Sequence, residues 1–292
     1  MGRVDLIRVV RVPILLGGAL GYGLGVLLGL ASGGTFNPRL VAVCYLVVAL
    51  GDLSTHYSND YYDVELDRLA PRKMFGGGNL LVARGDLRSS ALLSAEVLSL
   101  VSILLSGAAV LFGAPFLFVP LAVGANLLGW SYSVPRVRLS HRGLGEAAIA
   151  IGTGFGVPAA GYLAVRGTLD PGFLLFALPL ILYGFVLSLC LELPDAAVDA
   201  SVGKLSVAVR LGSRPVQRLM LLLCLSSTIL LYLFSGFPSF VASLAPLSTV
   251  AVANIVKQGD RSRIDLLSAS CIVGLFVFLV AVDGYLLVST LL

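Results

Sequence analysis

An acidic cluster lies in the stretch NDYYDVELD, which covers positions 59–67. Its carboxylates belong to Asp60, Asp63, Glu65 and Asp67. Carboxylates this close together repel one another and cost free energy unless a cation lies among them. If the backbone is helical, Asn59, Asp63 and Asp67 recur every four residues and share one face. Asp60 would then lie at the edge of that face, and Glu65 would point roughly away from it.

A second acidic stretch, LELPDAAVDASVGK, covers positions 191–204. Glu192, Asp195 and Asp199 recur at i, i+3 and i+7, which again favours one helical face, and Pro194 predicts a bend. Acids at helix ends can be merely solvated, but that explanation does not account for two aligned clusters. Carboxylate oxygens without His or Cys suit a hard cation such as Mg²⁺. We therefore expect Mg²⁺, with two ions bridged by a substrate diphosphate.

Basic residues next to both clusters could bind phosphate oxygens. Arg72 and Lys73 follow the first cluster, and Lys204 follows the second. Arg11, in RVPILL, is a further candidate. The alternative is that these side chains only mark the cytoplasmic ends of membrane spans, as snorkelling anchors do.

The rest of the chain predicts how these groups are held. The mean hydropathy is +0.97, and apolar runs of about 20 residues recur, each long enough to cross a hydrocarbon core. Such runs must be helical, because membrane β-strands would alternate apolar and polar residues. The sequence thus predicts an all-α polytopic membrane protein with nine spans. They cover about 13–31, 40–57, 90–112, 114–133, 144–165, 172–192, 219–236, 238–256 and 265–290.

The distribution of positive charge predicts the orientation. With the N-terminus inside, all of the 20 Lys and Arg residues except Arg39 and Arg166 fall on the cytoplasmic side. The C-terminus is then outside. Both acidic clusters lie in cytoplasmic connections, 58–89 and 193–218, of one membrane-embedded domain covering 1–292. The net charge of +4 therefore reflects topology and contact with membrane lipids, not nucleic-acid binding.

At these motifs the sequence resembles the UbiA superfamily of intramembrane prenyltransferases, over nearly its whole length. The first family motif, NDxxDxxxD, matches positions 59–67. The second, DxxxD followed by GKxT and VRLG, matches Asp195 to Asp199 and then positions 203–206 and 209–212. Ser206 stands where the family usually has Thr, and Glu192 stands where relatives often carry Asn or Asp.

One further segment indicates a branch of that family. The stretch YSVPRVRLSHRGLGE, positions 132–146, is similar to YxxPPxxLxxxGLGE of the 1,4-dihydroxy-2-naphthoate prenyltransferase branch. It looks less like the 4-hydroxybenzoate branch. Arg136 replaces the second proline. The resemblance favours a naphthoate-type acceptor and a role in lipid-quinone (menaquinone) biosynthesis.

The resemblance implies a bundle of nine helices around a central cavity, with both motifs at its cytoplasmic mouth. An isoprenyl chain would be transferred from an allylic prenyl diphosphate to an acceptor. Asp63, Asp195 and Asp199 would promote ionisation, and Asn59 and Asp67 would complete the metal ligands. Diphosphate leaves readily when its charge is neutralised, and an apolar cavity keeps water from the cation that remains.

Three further residues are candidates for contact with the substrate or the cation. Tyr132 could stabilise the cation through its ring face, and Asp60 lies beside the metal ligands. Asp52 falls inside the second span, where a carboxylate is costly and usually functional, so it could accept the proton released by the acceptor. The sequence assigns no role to Asp283, Glu96 or His56.

Other functions remain open at this stage. A geranylgeranylglyceryl phosphate acceptor, prenylated on oxygen in ether-lipid synthesis, would use the same machinery. A secondary transporter could also carry intramembrane acids, although transporters place them near the midplane. A CDP-alcohol phosphatidyltransferase needs a DGxxAR-type motif, which the sequence lacks.

Overall fold

The computed structural model describes residues 12–69, 74–75, 80–256 and 261–291. Every regular element in these ranges is helical, so the all-α prediction is confirmed. The helices are α1 Val12–Ala31, α2 Pro38–Tyr62, α3 Val64–Leu69, α4 Leu80–Ala83, α5 Arg88–Leu111, α6 Phe118–Ser133, α7 Gly145–Ile151, α8 Val157–Arg166, α9 Pro171–Glu192, α10 Ala196–Ser201, α11 Val207–Leu211, α12 Ser213–Ser235, α13 Phe237–Ile255 and α14 Arg261–Leu291. A π-helical turn, Gly152–Gly156, joins α7 to α8, and 3₁₀ turns cover Gly85–Leu87, Leu139–His141 and Leu193–Asp195.

Each of the nine predicted spans falls on one of these helices or, for 144–165, on the run from α7 to α8. Within the described ranges, seven helical segments are long and apolar enough to cross a membrane. The other two of the nine predicted spans lie on shorter apolar helices. Helix α6 has 16 residues, and the apolar part of α1 is Leu15–Ala31. The protein is thus an integral membrane protein, while the count of nine spans and the orientation stay predictions.

Large apolar side chains point outward from these helices. Leu104 of α5, Leu222 of α12 and Val280 of α14 are 63%, 62% and 56% exposed. Repeated along helices of this length, such side chains form surfaces suited to lipid, since water would disfavour them.

Internal packing divides the chain into two compact units. The first contains the described parts of 1–72, 76–139 and 156–169, and the second those of 73–75, 140–155 and 170–292. The π-helical turn lies at a boundary between them. The single domain over 1–292 stays a prediction.

The first unit is built on a close approach of α1 and α8. A Cβ atom on Gly25 would lie 1.9 Å from the carbonyl oxygen of Pro158, and one on Gly161 would lie 2.1 Å from that of Tyr22. Only glycine fits at both positions, which brings the two backbones together as in other membrane helix pairs.

Hydrogen bonds then fix α2 against α5 and α6. The Ser54 hydroxyl donates to the Ala95 carbonyl at 2.7 Å and accepts from Trp130 Nε1 at 3.0 Å. Ser102 donates to the Val47 carbonyl at 2.8 Å and accepts from Asn126 Nδ2 at 3.2 Å. These bonds fix the rotation of α2, which carries the first motif at its C-terminal end.

In the second unit, α9 packs against α7 and the π-helical turn through Gly154 and Gly184. A Cβ atom on Gly154 would lie 2.4 Å from the Leu180 carbonyl oxygen, and one on Gly184 would lie 2.8 Å from the Cα of Ala150. At its other end, α9 begins at the N-cap Asp170, whose carboxylate accepts the Phe173 N–H at 3.0 Å. This packing fixes α9, which leads directly into the second motif.

Candidate active site

The first motif keeps the spacing of its predicted ligands across a break in the helix. Helix α2 ends at Tyr62, and Asp63 has φ −99° and ψ 9°. Two hydrogen bonds meet at the break residue, one from Asp63 N to Asn59 O at 2.9 Å and one from Asp67 N to Asp63 O at 2.8 Å. Because these bonds have the helical i to i−4 pattern, Asn59, Asp63 and Asp67 remain in register.

The acids of this motif differ in burial. Asp60 and Asp63 are 3% and 8% exposed, and Asp67 is half-buried. Glu65 is exposed and forms ion pairs with Arg68 at 2.9 Å and Arg88 at 3.6 Å. Glu65 is therefore occupied by surface cations, in keeping with its predicted orientation away from the ligand face.

A small apolar cluster supports the first motif. Tyr57 and Val64, from either side of the helix break, pack with Leu81, Leu87 and Ala91. Through this cluster, the helix break at Asp63 packs against α4 and the start of α5. Apolar packing therefore fixes the backbone of the motif, and contacts of its carboxylates are not needed for that purpose.

Ser133 is a residue that the sequence analysis missed. Its hydroxyl donates to Asn59 Oδ1 at 2.9 Å, and it is 1% exposed. This contact orients the Asn59 side chain. It also places the end of α6, which carries the half-buried Tyr132, beside the start of the first motif. The only signal in the sequence was its position beside Tyr132.

Asp52 and His56 form a pair on α2 before the motif. His56 Nε2 lies 3.4 Å from Asp52 Oδ1 and is buried. The other Asp52 oxygen faces Gly18 of α1, where an added Cβ would lie 3.8 Å away. The i, i+4 spacing could have indicated this pair. Glu96 is exposed on α5, and Asp283 is half-buried on α14.

The second motif does not form a continuous helix. Helix α9 ends at Glu192, a 3₁₀ turn follows at Leu193–Asp195, and α10 begins at Ala196. Pro194 causes the break because it has no N–H and its ring clashes with the preceding turn. The break agrees with the predicted bend, but the acids that we expected to act as one row have separate partners.

Asp195 is held by a residue that the sequence analysis did not assign to the site. Arg261, the first residue of α14, places Nη2 2.9 Å from Asp195 Oδ1. Its Nε donates to the Pro194 carbonyl at 2.8 Å. Arg261 therefore binds both the carboxylate and the backbone of the 3₁₀ turn.

Asp199 and Lys204 form a buried ion pair. Lys204 Nζ lies 3.0 Å from Asp199 Oδ2, and the two side chains are 12% and 4% exposed. The Lys204 N–H also donates to the Asp199 carbonyl at 3.0 Å. The lysine that was predicted to bind diphosphate is thus positioned by a predicted metal ligand.

Some predicted residues lie outside the described ranges. Arg11, Arg72 and Lys73 are among them, so their predicted contacts with diphosphate stay predictions.

The donor set suits Mg²⁺ that arrives with a phosphate ligand. Asn59, Asp63 and Asp67 offer oxygen atoms only, which a hard cation prefers. Within the described ranges, no three His, Cys, Asp or Glu side chains converge closely enough to hold a metal ion by themselves. Mg²⁺ commonly takes one or two carboxylates and completes its shell with water and substrate phosphates, so these residues fit it.

Comparison with known proteins gives consistent results. The UbiA prenyltransferase family matches residues 19–287. No curated protein matches in sequence. Among solved structures, the fold is similar to that of a digeranylgeranylglyceryl phosphate synthase, with 18% identity, 96% of each chain covered and a TM-score of 0.66.

Two UbiA homologues of known structure also have a similar fold. One, from Archaeoglobus fulgidus, is bound to DMAPP and Mg²⁺, with 16% identity, 89% of this chain and 95% of that chain covered, and a TM-score of 0.64. The other, an apo structure from Aeropyrum pernix K1, has 14% identity, 94% and 98% coverage, and a TM-score of 0.69. At these identities the likeness concerns the fold, whereas the family match covers most of the sequence itself. The chain therefore belongs to the UbiA prenyltransferase family, and it is a prenyltransferase.

Proposed function

We propose that this enzyme transfers an isoprenyl chain from an allylic prenyl diphosphate to an aromatic acceptor of the naphthoate or benzoate type, in a Mg²⁺-dependent reaction. The observation that carries the proposal is the first motif, in which Asn59, Asp63 and Asp67 keep helical register across a break in the helix. Oxygen ligands in register are what a cation shared with a diphosphate requires.

In the first motif, Asp63 and Asp67 would bind Mg²⁺ with their carboxylates, and Asn59 would contribute its amide oxygen. Ser133 orients Asn59 by donating to Oδ1. The ion held there would supply the positive charge that neutralises the diphosphate as it leaves. Arg72, Lys73 and Arg11 are proposed to bind further phosphate oxygens.

In the second motif, Asp195 and Asp199 are proposed as metal ligands and Lys204 as a phosphate ligand. Asp199 holds the Lys204 ammonium at 3.0 Å, which limits the positions that the side chain can occupy before substrate binds. Such pre-organisation lets the Lys204 ammonium act on the leaving diphosphate without a large rearrangement.

The chemical step breaks the bond between the allylic carbon and the diphosphate oxygen, and diphosphate leaves with the electron pair. The acceptor ring then attacks the allylic carbon, and the ring proton is lost. Tyr132 and Asp60 are proposed to stabilise the allylic carbocation that forms when diphosphate leaves. Asp52, paired with His56, is proposed as the proton acceptor.

The acceptor is proposed from the segment 132–146, which is similar to that of the naphthoate branch. A second acceptor is supported by a different observation. The fold is similar over 96% of both chains to a digeranylgeranylglyceryl phosphate synthase, which favours a lipid acceptor prenylated on oxygen. The active site is proposed to face the cytoplasm, from the distribution of Lys and Arg.

The test is prenyl transfer by the purified protein in lipid nanodiscs. Labelled geranylgeranyl diphosphate is offered with dihydroxynaphthoate, 4-hydroxybenzoate or geranylgeranylglyceryl phosphate, each with Mg²⁺ or with EDTA. We expect a Mg²⁺-dependent product with dihydroxynaphthoate. A product with the glyceryl phosphate alone would replace the aromatic acceptor by the lipid one. If neither a prenylated product nor diphosphate release is detected with any of the three acceptors, the proposed reaction is contradicted.

A further inference from the structure

The second unit contains two buried carboxyl groups that the proposed reaction does not use. Glu146, in the first turn of α7, is 1% exposed, and Glu192, the last residue of α9, is 6% exposed. Helices α7 and α9, which carry these two groups, pack against each other. A carboxyl group buried away from water is costly unless it accepts hydrogen bonds, so its partners indicate what it does.

One oxygen of each carboxyl group has a donor. Glu146 Oε1 accepts the backbone N–H of Val207, and Glu192 Oε1 accepts from Ser188 Oγ at 3.4 Å. Neither Oε2 atom receives a hydrogen bond from any donor in the described part of the chain.

The bond from Val207 shows what Glu146 holds. Val207 is the first residue of α11, directly after the N-cap Ser206 and three residues after Lys204. The preceding loop is fixed at two more points, because Lys204 N donates to Asp199 O at 3.0 Å and Leu205 N donates to His141 O at 3.1 Å. The loop that carries Lys204 is therefore attached along its length to the chain around it.

Gly143 allows the backbone around position 143 to approach the loop that carries Lys204 closely. It has φ +73°, and a Cβ atom there would lie 2.7 Å from the Leu205 carbonyl oxygen. The stretch 141–146, which the sequence analysis connected with the acceptor branch, thus forms the surface against which residues 203–207 are held. The two stretches are about 60 positions apart in the sequence, and the fold of the second unit brings them into contact.

We propose that Glu146 is a positioning residue for Lys204, and that its bond with the Val207 N–H fixes the loop 203–207 to α7. The role requires an acceptor oxygen at position 146. It does not require a negative charge at 146, which distinguishes it from metal binding. The consequence for catalysis rests on the proposed function, in which Lys204 binds the diphosphate.

Conservative variants test the proposal. Glu146→Gln keeps an oxygen for the Val207 N–H, so kcat/KM should stay within about threefold of the wild type. Glu146→Ala loses this contact and should raise KM for the prenyl diphosphate about 10-fold or more, with a smaller change in kcat. Glu96→Ala, at an exposed position of α5, is the matched control and should change neither.

A second variant removes the donor instead of the acceptor. Val207→Pro deletes the N–H, and proline is tolerated at the first position of a helix. The preceding residue, Ser206, has φ −60° and ψ 159°, which a following proline accepts. This variant should reproduce the effect of Glu146→Ala, and it provides the test if Glu146→Ala does not fold.

A readout independent of activity separates this inference from the proposed function. Trypsin cleavage after Lys204, followed by mass spectrometry in detergent, reports how firmly the loop is held. Cleavage should be faster in Glu146→Ala and Val207→Pro than in the wild type and Glu146→Gln, even if no acceptor supports turnover. The positioning role would be overturned if Glu146→Gln lowered kcat/KM as much as Glu146→Ala does. It would also be overturned if the rate of cleavage after Lys204 were the same in all variants and the wild type.

Discussion

Arg261 and Asp195 form an ion pair with Nη2 and Oδ1 2.9 Å apart, although 66 positions separate them in the sequence. The same guanidinium donates through Nε to the carbonyl of Pro194, which is the residue that breaks the helix. One side chain thus holds a proposed metal ligand and the backbone that presents it. Arginine suits this dual role because its planar group carries several donors in fixed directions.

Arg261→Gln should raise KM for the prenyl diphosphate and weaken Mg²⁺ dependence, because Asp195 loses the group that orients it. The pair is partly exposed, so the loss of stability should be small, about 1 kcal/mol or less. Steady-state kinetics and thermal unfolding in nanodiscs measure the two effects. Arg263→Gln, exposed two positions further on, is the control. Equal kinetics for the two variants would contradict the role of Arg261.

Asp63→Asn should lower kcat/KM about 100-fold or more, because a buried ligand for the cation on the leaving group is lost. Diphosphate release measures this effect. Glu65→Gln is the matched control within the same motif, since Glu65 is exposed and paired with Arg68. A loss of activity in Glu65→Gln as large as in Asp63→Asn would mean that the motif acts through its total charge and not through ligands in register.

Ser133→Ala should raise the Mg²⁺ concentration needed for half-maximal activity about 10-fold, because Asn59 loses the hydroxyl that orients its amide. A Mg²⁺ titration at saturating diphosphate measures this shift. Ser270→Ala removes a hydroxyl that bonds only within its own helix, to the Leu266 carbonyl at 2.9 Å, and should leave the titration unchanged. An unchanged titration in Ser133→Ala would mean that the Ser133 hydroxyl does not help Asn59 to bind Mg²⁺.

Gly25→Val should destabilise the first unit by about 1–3 kcal/mol, because its side chain would meet the Pro158 carbonyl. Gly107→Ala is the control. An added Cβ there meets no atom within 4 Å, and alanine is the better helix former, so its stability should be equal or higher. Thermal unfolding monitored by circular dichroism compares the two variants. Equal stability would mean that α1 and α8 can separate without cost.

The predicted orientation can be tested by cysteine labelling. Thr35→Cys and Val137→Cys place thiols at exposed positions, and the four native cysteines are buried, which keeps the background low. A membrane-impermeant maleimide added to intact cells should label Cys at 35 directly and Cys at 137 only after permeabilisation. The reverse pattern would place the N-terminus outside and contradict the positive-inside assignment.

The sequence by itself determined the helical class, the membrane location and the positions of the helices. These follow from apolar runs of a length that a bilayer dictates and from the need to satisfy every backbone group in lipid. It also determined the register of Asn59, Asp63 and Asp67, because helical hydrogen bonding between near neighbours depends on local spacing alone. The break at Pro194 was predictable for the same reason.

Only the tertiary structure decided which partners the acids have. Arg261 with Asp195, Ser133 with Asn59, and Glu146 with the Val207 N–H join residues that are far apart in the chain, and no local pattern specifies such contacts. They depend on how helices rotate and approach one another, which is set by glycine contacts and interhelical hydrogen bonds. For this reason the expected row of Glu192, Asp195 and Asp199 became three separate interactions, since each side chain takes the partner that the fold brings to it.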